Sequence, residues 1–303
     1  METVGRFAPT PSGRMHLGNV FAAMVGWLSV RSQGGKIVLR MEDLDTQRTS
    51  AEYAEVLRQD LLWLGLDWDE ETPPQSARSQ VYDRYFDRLR QLELLYPCYC
   101  TRSQLHSVNA PHLADGTYVY PGTCRDLANP PVDRAPSWRV RVPDSIWAFD
   151  DVVFGHREEN LATHCGDFVV RRADGVYVYQ LAVTVDDGEA GVTEVVRGMD
   201  LLSSSPRQMY LQSLFGFPHP RYAHVPMLLA PDGRRLSKRD RDLDLGQLRS
   251  RLKPEQLLGT LAFSAGLISA YVPISAAELA SVFDWKNLRK EDIYLDGTTL
   301  LGV

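Results

Sequence analysis

Three stretches of this 303-residue chain carry residue types and spacings that can do chemistry. The first is Arg6-Phe-Ala-Pro-Thr-Pro-Ser-Gly-Arg-Met-His-Leu-Gly-Asn19. Phe7 and Ala8 end an apolar strand, Pro9 and Pro11 exclude helix, Gly13 permits a tight turn, and His16 to Asn19 open the amphipathic run Val20–Arg31. A helix start exposes amide N–H groups that attract phosphate, and a small Gly18 lets a base or ribose approach the backbone. The corner suits a nucleotide; an ordinary strand-turn-helix with one surface histidine has the same local pattern.

The second stretch is Glu42-Asp-Leu-Asp45, three carboxylates at the end of the expected strand Lys36–Met41. Open parallel sheets take their ligands at such strand ends, and the buried strand Val192–Val196 delivers Arg197-Gly198 to an equivalent place. The third stretch, Pro231-Asp-Gly-Arg-Arg-Leu-Ser-Lys-Arg239, is a polar, basic loop. Loops of this make-up carry function, although a charge run also fits a solvated face.

A separate set is Cys98, Cys100 and Cys124, in or beside the aperiodic stretch Arg102–Pro136. A loop that long needs another source of order, and thiols one residue apart cannot easily bridge each other. Metal is the expectation. Three thiolates and one further donor make a closed tetrahedral zinc site of structural type. His106 and His112 lie in the loop as candidate fourth donors, and two plain buried strand cysteines are the alternative. Cys165 is isolated and reads as structural.

The elements that must position these groups follow from periodicity. The chain begins β-α-β, with Gly34-Gly35 stopping the first helix. Thr49-Ser-Ala-Glu52 reads as a capping box for a helix Ser50–Leu64, with Tyr53, Val56, Leu57, Leu61 and Leu64 on its apolar face. A second amphipathic helix is expected over Gln80–Leu94. Tyr96–Thr101, Trp138–Val142 and Ile146–Phe154 read as strands, and Asp167–Gln180 as a hairpin about Asp174-Gly175. Leu181–Gly191 is ambiguous between helix and loop. Helix Leu201–Phe215, strand Tyr222–Ala230, helical signals from Leu243 and an exposed segment Ser281–Val303 complete the chain.

Composition narrows the class. With 44% apolar and 24% charged residues, no apolar run long enough to span a bilayer and no secretory signal over Met1–Gly13, a globular cytoplasmic protein is expected, without membrane contact. The net charge of −6 offers nucleic acid no overall attraction, so any RNA must be held by local basic patches. No long apolar surface stripe is evident, and a monomer is the default.

The order of the His16/Gly18 corner, the Glu42 strand end and the Arg235–Arg239 loop resembles the class I aminoacyl-tRNA synthetases. Met15-His16-Leu17-Gly18-Asn19 matches their nucleotide-binding signature at its first His and its Gly, with Asn19 in place of the second His. Arg235–Arg239 matches their mobile Lys-Met-Ser-Lys-Ser loop, with Arg235 in place of its first Lys. Arg6–Gly13, Leu39–Asp45, Tyr179-Gln-Leu-Ala, Val185-Asp-Asp187 and Val192–Gly198 look like the glutamyl subgroup.

The resemblance implies glutamate contacts from Arg6, Ala8, Ser12, Glu42, Tyr179 and Arg197. It implies ATP contacts from His16, Gly18, Asn19, Ser237 and Lys238, with His16 and Lys238 catalytic. Glu42 suits an ammonium, Arg6 and Arg197 suit carboxylates. Zinc would be held by Cys98, Cys100, Cys124 and, in that family, Tyr120; Mg²⁺ would accompany ATP.

The chain stops soon after the loop, without a large helical anticodon-binding region, and has Val183 where the tRNA-charging enzymes show Asn. Both features resemble the shorter glutamyl-Q tRNA(Asp) synthetase branch. That branch implies tRNA-independent activation of glutamate, then its transfer to queuosine in the anticodon of tRNA(Asp). A trimmed enzyme charging the 3′ end of tRNA(Glu) and a catalytically idle zinc-bearing RNA-binding module are the rivals.

The implied fold is α/β: a Rossmann-like class I core with a parallel sheet, an inserted zinc-bearing acceptor-type subdomain and a short helical C-terminal region. The expected limits are 1–95 and 167–240 for the two core halves, 96–166 for the insertion and 241–303 for the helical tail.

Overall fold

The computed structural model describes residues 2–101, 104, 119–234 and 244–295. The chain opens with β1 (Val4–Phe7), α1 (Leu17–Ser32), β2 (Lys36–Leu39), α2 (Ala51–Trp63), β3 (Glu70–Glu71) and α3 (Ser79–Gln91). It continues with β4 (Leu95–Cys98), β5 (Ser137–Val140), the hairpin β6 (Ile146–Asp151) and β7 (Gly155–Asn160), α4 (Leu161–His164), β8 (Phe168–Arg171) and α5 (Tyr179–Glu189). Then come β9 (Glu194–Gly198), α6 (Ser204–Phe215), β10 (Arg221–Val225), β11 (Leu228–Leu229), α7 (Leu245–Arg249), α8 (Pro254–Ser264), α9 (Ala276–Val282) and β12 (Ile293–Tyr294).

Among the described residues every strand ladder of the core is parallel, and a single antiparallel bridge joins His16 to Asp244. β2 lies between β1 and β3, with Val4 opposite Lys36 and Phe7 opposite Leu39. β9 pairs with β10, Arg197 opposite His224. The two ladders meet where the Thr193 amide donates to the Val4 carbonyl at 2.9 Å. Helix α1 covers this junction, and its buried residues Val20, Phe21, Met24, Val25 and Leu28 belong to the larger core cluster. Gly5 permits the contact, since a Cβ there would sit 2.4 Å from Val30 Cγ2.

The middle of the chain forms an antiparallel sheet, β4-β5-β8, and a second core joins β5 and β8 to α3, α5 and α6. The sheet runs from residue 95 to 171, so β8 lies beyond the expected limit at 166. The β6–β7 hairpin folds back on the parallel core, its Val152 amide donating to the Tyr222 carbonyl.

Several local expectations change. Ser50, not Thr49, caps α2, taking the Tyr53 amide at 3.1 Å; Thr49 Oγ1 bonds the Asp45 carbonyl. Tyr53 is 42% exposed, and Ala54 and Asp60 take the buried positions instead. The expected hairpin keeps its Asp174-Gly175 turn but has only an Arg171–Tyr177 bridge opposite β8, because Tyr179 already starts α5. Ambiguous Leu181–Gly191 is largely that helix, buried against α6 and α3. The segment Ser281–Val303 is not exposed throughout: among its described residues Leu288, Ile293 and Leu295 are buried, and β12 pairs with β11. Among the described residues no helix is long and apolar enough to cross a membrane.

Candidate functional site

One cavity of about 510 Å³ opens over the ends of β1 and β9 and the start of α1. Its lining includes Arg6, Ala8, Ser12, His16, Gly18, Asn19, Glu42, Tyr179 and Arg197, every expected glutamate- or ATP-contacting residue among those described. Ser237 and Lys238, with the rest of Arg235–Arg239, lie outside the described residues.

The corner is built as a strand-turn-helix. Gly13 holds φ of 145° in the turn, and His16 caps α1 through its carbonyl, which takes the Asn19 amide at 2.9 Å. Its side chain makes no cap bond, so it does not occupy the amides of the first helical turn. A Cβ on Gly18 would lie 3.1 Å from the His16 ring; the glycine therefore makes room for imidazole rather than only for a base or ribose.

Of the three carboxylates after β2, only Glu42 lines the cavity. Asp43 instead takes the Ser76 amide and hydroxyl at 2.7 and 2.6 Å. Glu42 rests on a buried ion network whose members Arg40, Asp186 and Asp187 no motif had assigned to the site. Arg40 bonds Asp187 at 2.7 Å and Glu42 at 3.0 Å, and lies 3.6 Å from Asp186. Asp186 also takes Gln75, Arg78 and Tyr82, while Arg6 reaches Asp187 at 3.5 Å. Burial pushes the Glu42 carboxyl above its ordinary value against the pull of Arg40, so a cationic ligand would favour its charged form. For Asp187 burial acts the same way, but Arg40 and Arg6 outweigh it and hold the carboxyl low.

Arg197 is buried with no carboxylate within ion-pair distance among the described residues, although its charge is felt by Asp187. Nε donates to His224 Nε2 at 3.0 Å, Nη1 to Gln208 Oε1 at 2.8 Å and Nη2 to Ser205 Oγ at 2.7 Å. A guanidinium has five N–H groups, so one hydrogen on each Nη remains without an acceptor among the described residues. No described carboxylate pairs with this cation, and it faces the cavity from the end of β9. A wall so made can accept a carboxylate in bidentate fashion.

A further hub, Asp60, joins the corner to the region after the basic loop. It is wholly buried on α2 and takes Arg14 at 3.0 Å and Arg249 at 2.6 Å. An acidic residue inside an apolar stripe was the one sequence sign of it.

Away from the cavity, the thiols of Cys98, Cys100 and Cys124 all lie within 4.8 Å of one another. Tyr120 Oη is 3.5 Å from Cys98 Sγ and 3.8 Å from Cys100 Sγ, and it accepts the Cys124 amide at 2.8 Å. The donor set fits a tetrahedral zinc, whose ligand sulfurs stand about 3.8 Å apart at Zn–S lengths of about 2.3 Å. Burial opposes ionisation of Cys98, but hydrogen bonds from Tyr120 and Arg139 outweigh it and lower the thiol. His106 and His112 lie outside the described residues. Cys165 is buried and apart from the cluster, its thiol pushed up by burial to about 12. The cluster docks through Asp167, which takes Tyr96, Arg125 and the Val142 amide.

Parallel strands whose ends share one cavity with a helix start, interrupted by a cysteine-bearing sheet, place the chain among class I aminoacyl-tRNA synthetase catalytic domains. The family model of tRNA synthetases class I (E and Q), catalytic domain, matches residues 2–265. A glutamyl-Q tRNA(Asp) synthetase from Nitratidesulfovibrio vulgaris is 48% identical, covering 89% of this chain and 88% of the relative. Another, from Symbiobacterium thermophilum, is 44% identical over 99% of this chain and 98% of the relative. The chain belongs to the glutamyl-Q tRNA(Asp) synthetase family. A solved glutamate-tRNA synthetase from Elizabethkingia anophelis superposes with a TM-score of 0.84 at 26% identity, over 99% of this chain and 69% of that one.

Proposed function

We propose that the protein activates glutamate with ATP, without needing tRNA, and transfers it to queuosine in the anticodon of tRNA(Asp). Family membership supports the reaction class, and the observation that carries the amino-acid site is Arg197. It is a buried cation held only by neutral acceptors and turned to the cavity that Glu42, Arg6 and His16 also line.

In this reading Arg197 and Arg6 hold the glutamate carboxylates and Glu42 its ammonium, with Ala8, Ser12 and Tyr179 completing the pocket. ATP lies over the start of α1, against His16, Gly18 and Asn19, and Ser237 and Lys238 contact it as well. A glutamate carboxylate oxygen attacks the α-phosphorus, the bond to the β-phosphate oxygen breaks, and pyrophosphate leaves. Little proton transfer is needed; the chain contributes position and donors for charge growing on the phosphate, from His16 and Lys238. A hydroxyl of the queuosine ring then attacks the activated carbonyl carbon, loses its proton and releases AMP. Mg²⁺ would neutralise phosphate charge.

Zinc, held by Cys98, Cys100, Cys124 and Tyr120, would supply structural order to the inserted sheet rather than chemistry. A cytoplasmic monomer belongs to the same proposal, as do the two core halves, the helical tail and an insertion whose sheet runs on to residue 171.

The test offers labelled glutamate and ATP with queuosine-containing tRNA(Asp), queuosine-free tRNA(Asp) or tRNA(Glu). Label is expected on the first alone, after adenylate formation without tRNA. Label on tRNA(Glu), or no activation at all, would overturn the proposal.

A further inference from the structure

Behind Arg197 stands a polar pair with no direct place in the reaction above. Asp151 ends β6 with its side chain wholly buried. Its Oδ1 takes the amides of Val153 and Phe154 at 3.0 and 2.9 Å, and its Oδ2 takes the His224 amide at 3.1 Å. The same Oδ2 lies 2.6 Å from His224 Nδ1, and His224 is buried on β10. An ionised carboxylate only accepts, so the ring proton is on Nδ1 and the Nε2 lone pair meets Arg197 Nε at 3.0 Å.

We propose that Asp151 and His224 are a positioning pair that aims Arg197 at a carboxylate of the substrate. The inference rests on the reading of Arg197 as carboxylate-binding. A carboxylate placed directly on Arg197 would orient the guanidinium but also neutralise it and compete with the substrate. A neutral imidazole orients it and leaves its charge available, while Asp151 fixes the tautomer from one ring away.

Protonating the ring would set N–H against N–H at 3.0 Å and release Arg197. The charged and titratable groups around the ring are Asp151 from β6, Arg197 from β9, Arg6 from β1 and the stacked Tyr222 beside it on β10. Burial, the largest influence, keeps the imidazole low, and Arg197 and Arg6 act with it against the pull of Asp151.

The test is ATP–pyrophosphate exchange with glutamate and ATP varied separately. In Asp151→Asn the new amide can donate to Nδ1, forcing the ring proton onto Nε2 and against Arg197. The glutamate KM is expected to rise about 10- to 100-fold, the scale of losing a hydrogen bond to a buried charge, with the ATP KM within about 2-fold. His224→Gln keeps an oxygen acceptor for Arg197 and does not titrate. It is expected to hold the glutamate KM within about 3-fold at pH 8 and to lose the part of the acid-side KM rise that the wild type owes to His224.

Arg197→Ala serves as the reference. If it raises the glutamate KM while Asp151→Asn does not, or while His224→Gln keeps the wild-type pH profile, the positioning pair is overturned and the reading of Arg197 survives. If Arg197→Ala leaves the glutamate KM unchanged, that reading falls and takes the pair with it. Should Asp151→Asn not fold, the His224→Gln pH profile decides alone.

Discussion

Arg40 and Arg197 are both buried arginines below the same cavity, and they are satisfied in opposite ways. Arg40 sits among Asp187, Glu42 and Asp186, within a network that also ties Arg78, Gln75 and Tyr82 to α5. Among the described residues Arg197 hydrogen-bonds only Gln208, Ser205 and His224, with the Tyr222 ring 5.5 Å from its guanidinium. A buried charge is costly unless paired, so the first arrangement completes itself within the fold. The second leaves one hydrogen on each Nη without an acceptor and the cation without an ion-pair partner among the described residues, which is what a wall awaiting an anionic ligand requires. The pair teaches that burial of a cation says little about its task until the charge of its partners is counted.

If that distinction holds, the two residues fail differently. The largest effect is expected from Arg40→Met, which leaves Asp187, Asp186 and Glu42 short of a cation; about 3–5 kcal/mol of stability should be lost in urea unfolding. A loss under about 1 kcal/mol, the scale of an exposed ion pair, would put the two arginines in one class. Next, Arg197→Ala should lower kcat/KM for glutamate about 10²-fold or more while costing far less stability than Arg40→Met, since it strands only neutral acceptors. An equal stability loss in the two variants would break the comparison.

The smallest effect concerns acid. Arg40 and Arg6 hold the Asp187 carboxyl below its ordinary value despite burial. Its stabilisation is therefore full above the unfolded value near pH 4 and is lost as pH falls through the lower folded value. Asp187→Asn lacks that contribution, so the gap in urea midpoint between wild type and variant should narrow on going from about pH 7 to about pH 3. A gap that stays constant would mean Asp187 contributes through shape rather than charge.

Much of the site was legible because its residues lie at the ends of local elements. Pro9, Pro11 and Gly13 mark the turn before α1, the apolar strand before Arg197 marks a sheet end, and Cys98, Cys100 and Cys124 stand out by type. The capping of α2 moved by one residue, and the hairpin after β8 gave way to a helix, because turn signals do not say how far the following strand runs. The C-terminal segment looked exposed because its few apolar residues have no period. Leu288, Ile293 and Leu295 are nevertheless buried, packed in the core of α1 and α8.

By itself the sequence determined the α/β core and the strand-turn-helix corner, and strand ends together with the family resemblance marked Arg6, His16, Glu42 and Arg197 as the residues to follow. Turns, strand ends and hydrophobic period are properties of neighbours along the chain. Only the tertiary structure decided which charges are compensated. Arg40 meets Asp187 across 147 residues, and His224 meets Asp151 across 73. Electrostatic partners at such separations are chosen by how the sheet and helices pack, and no spacing in the sequence encodes them.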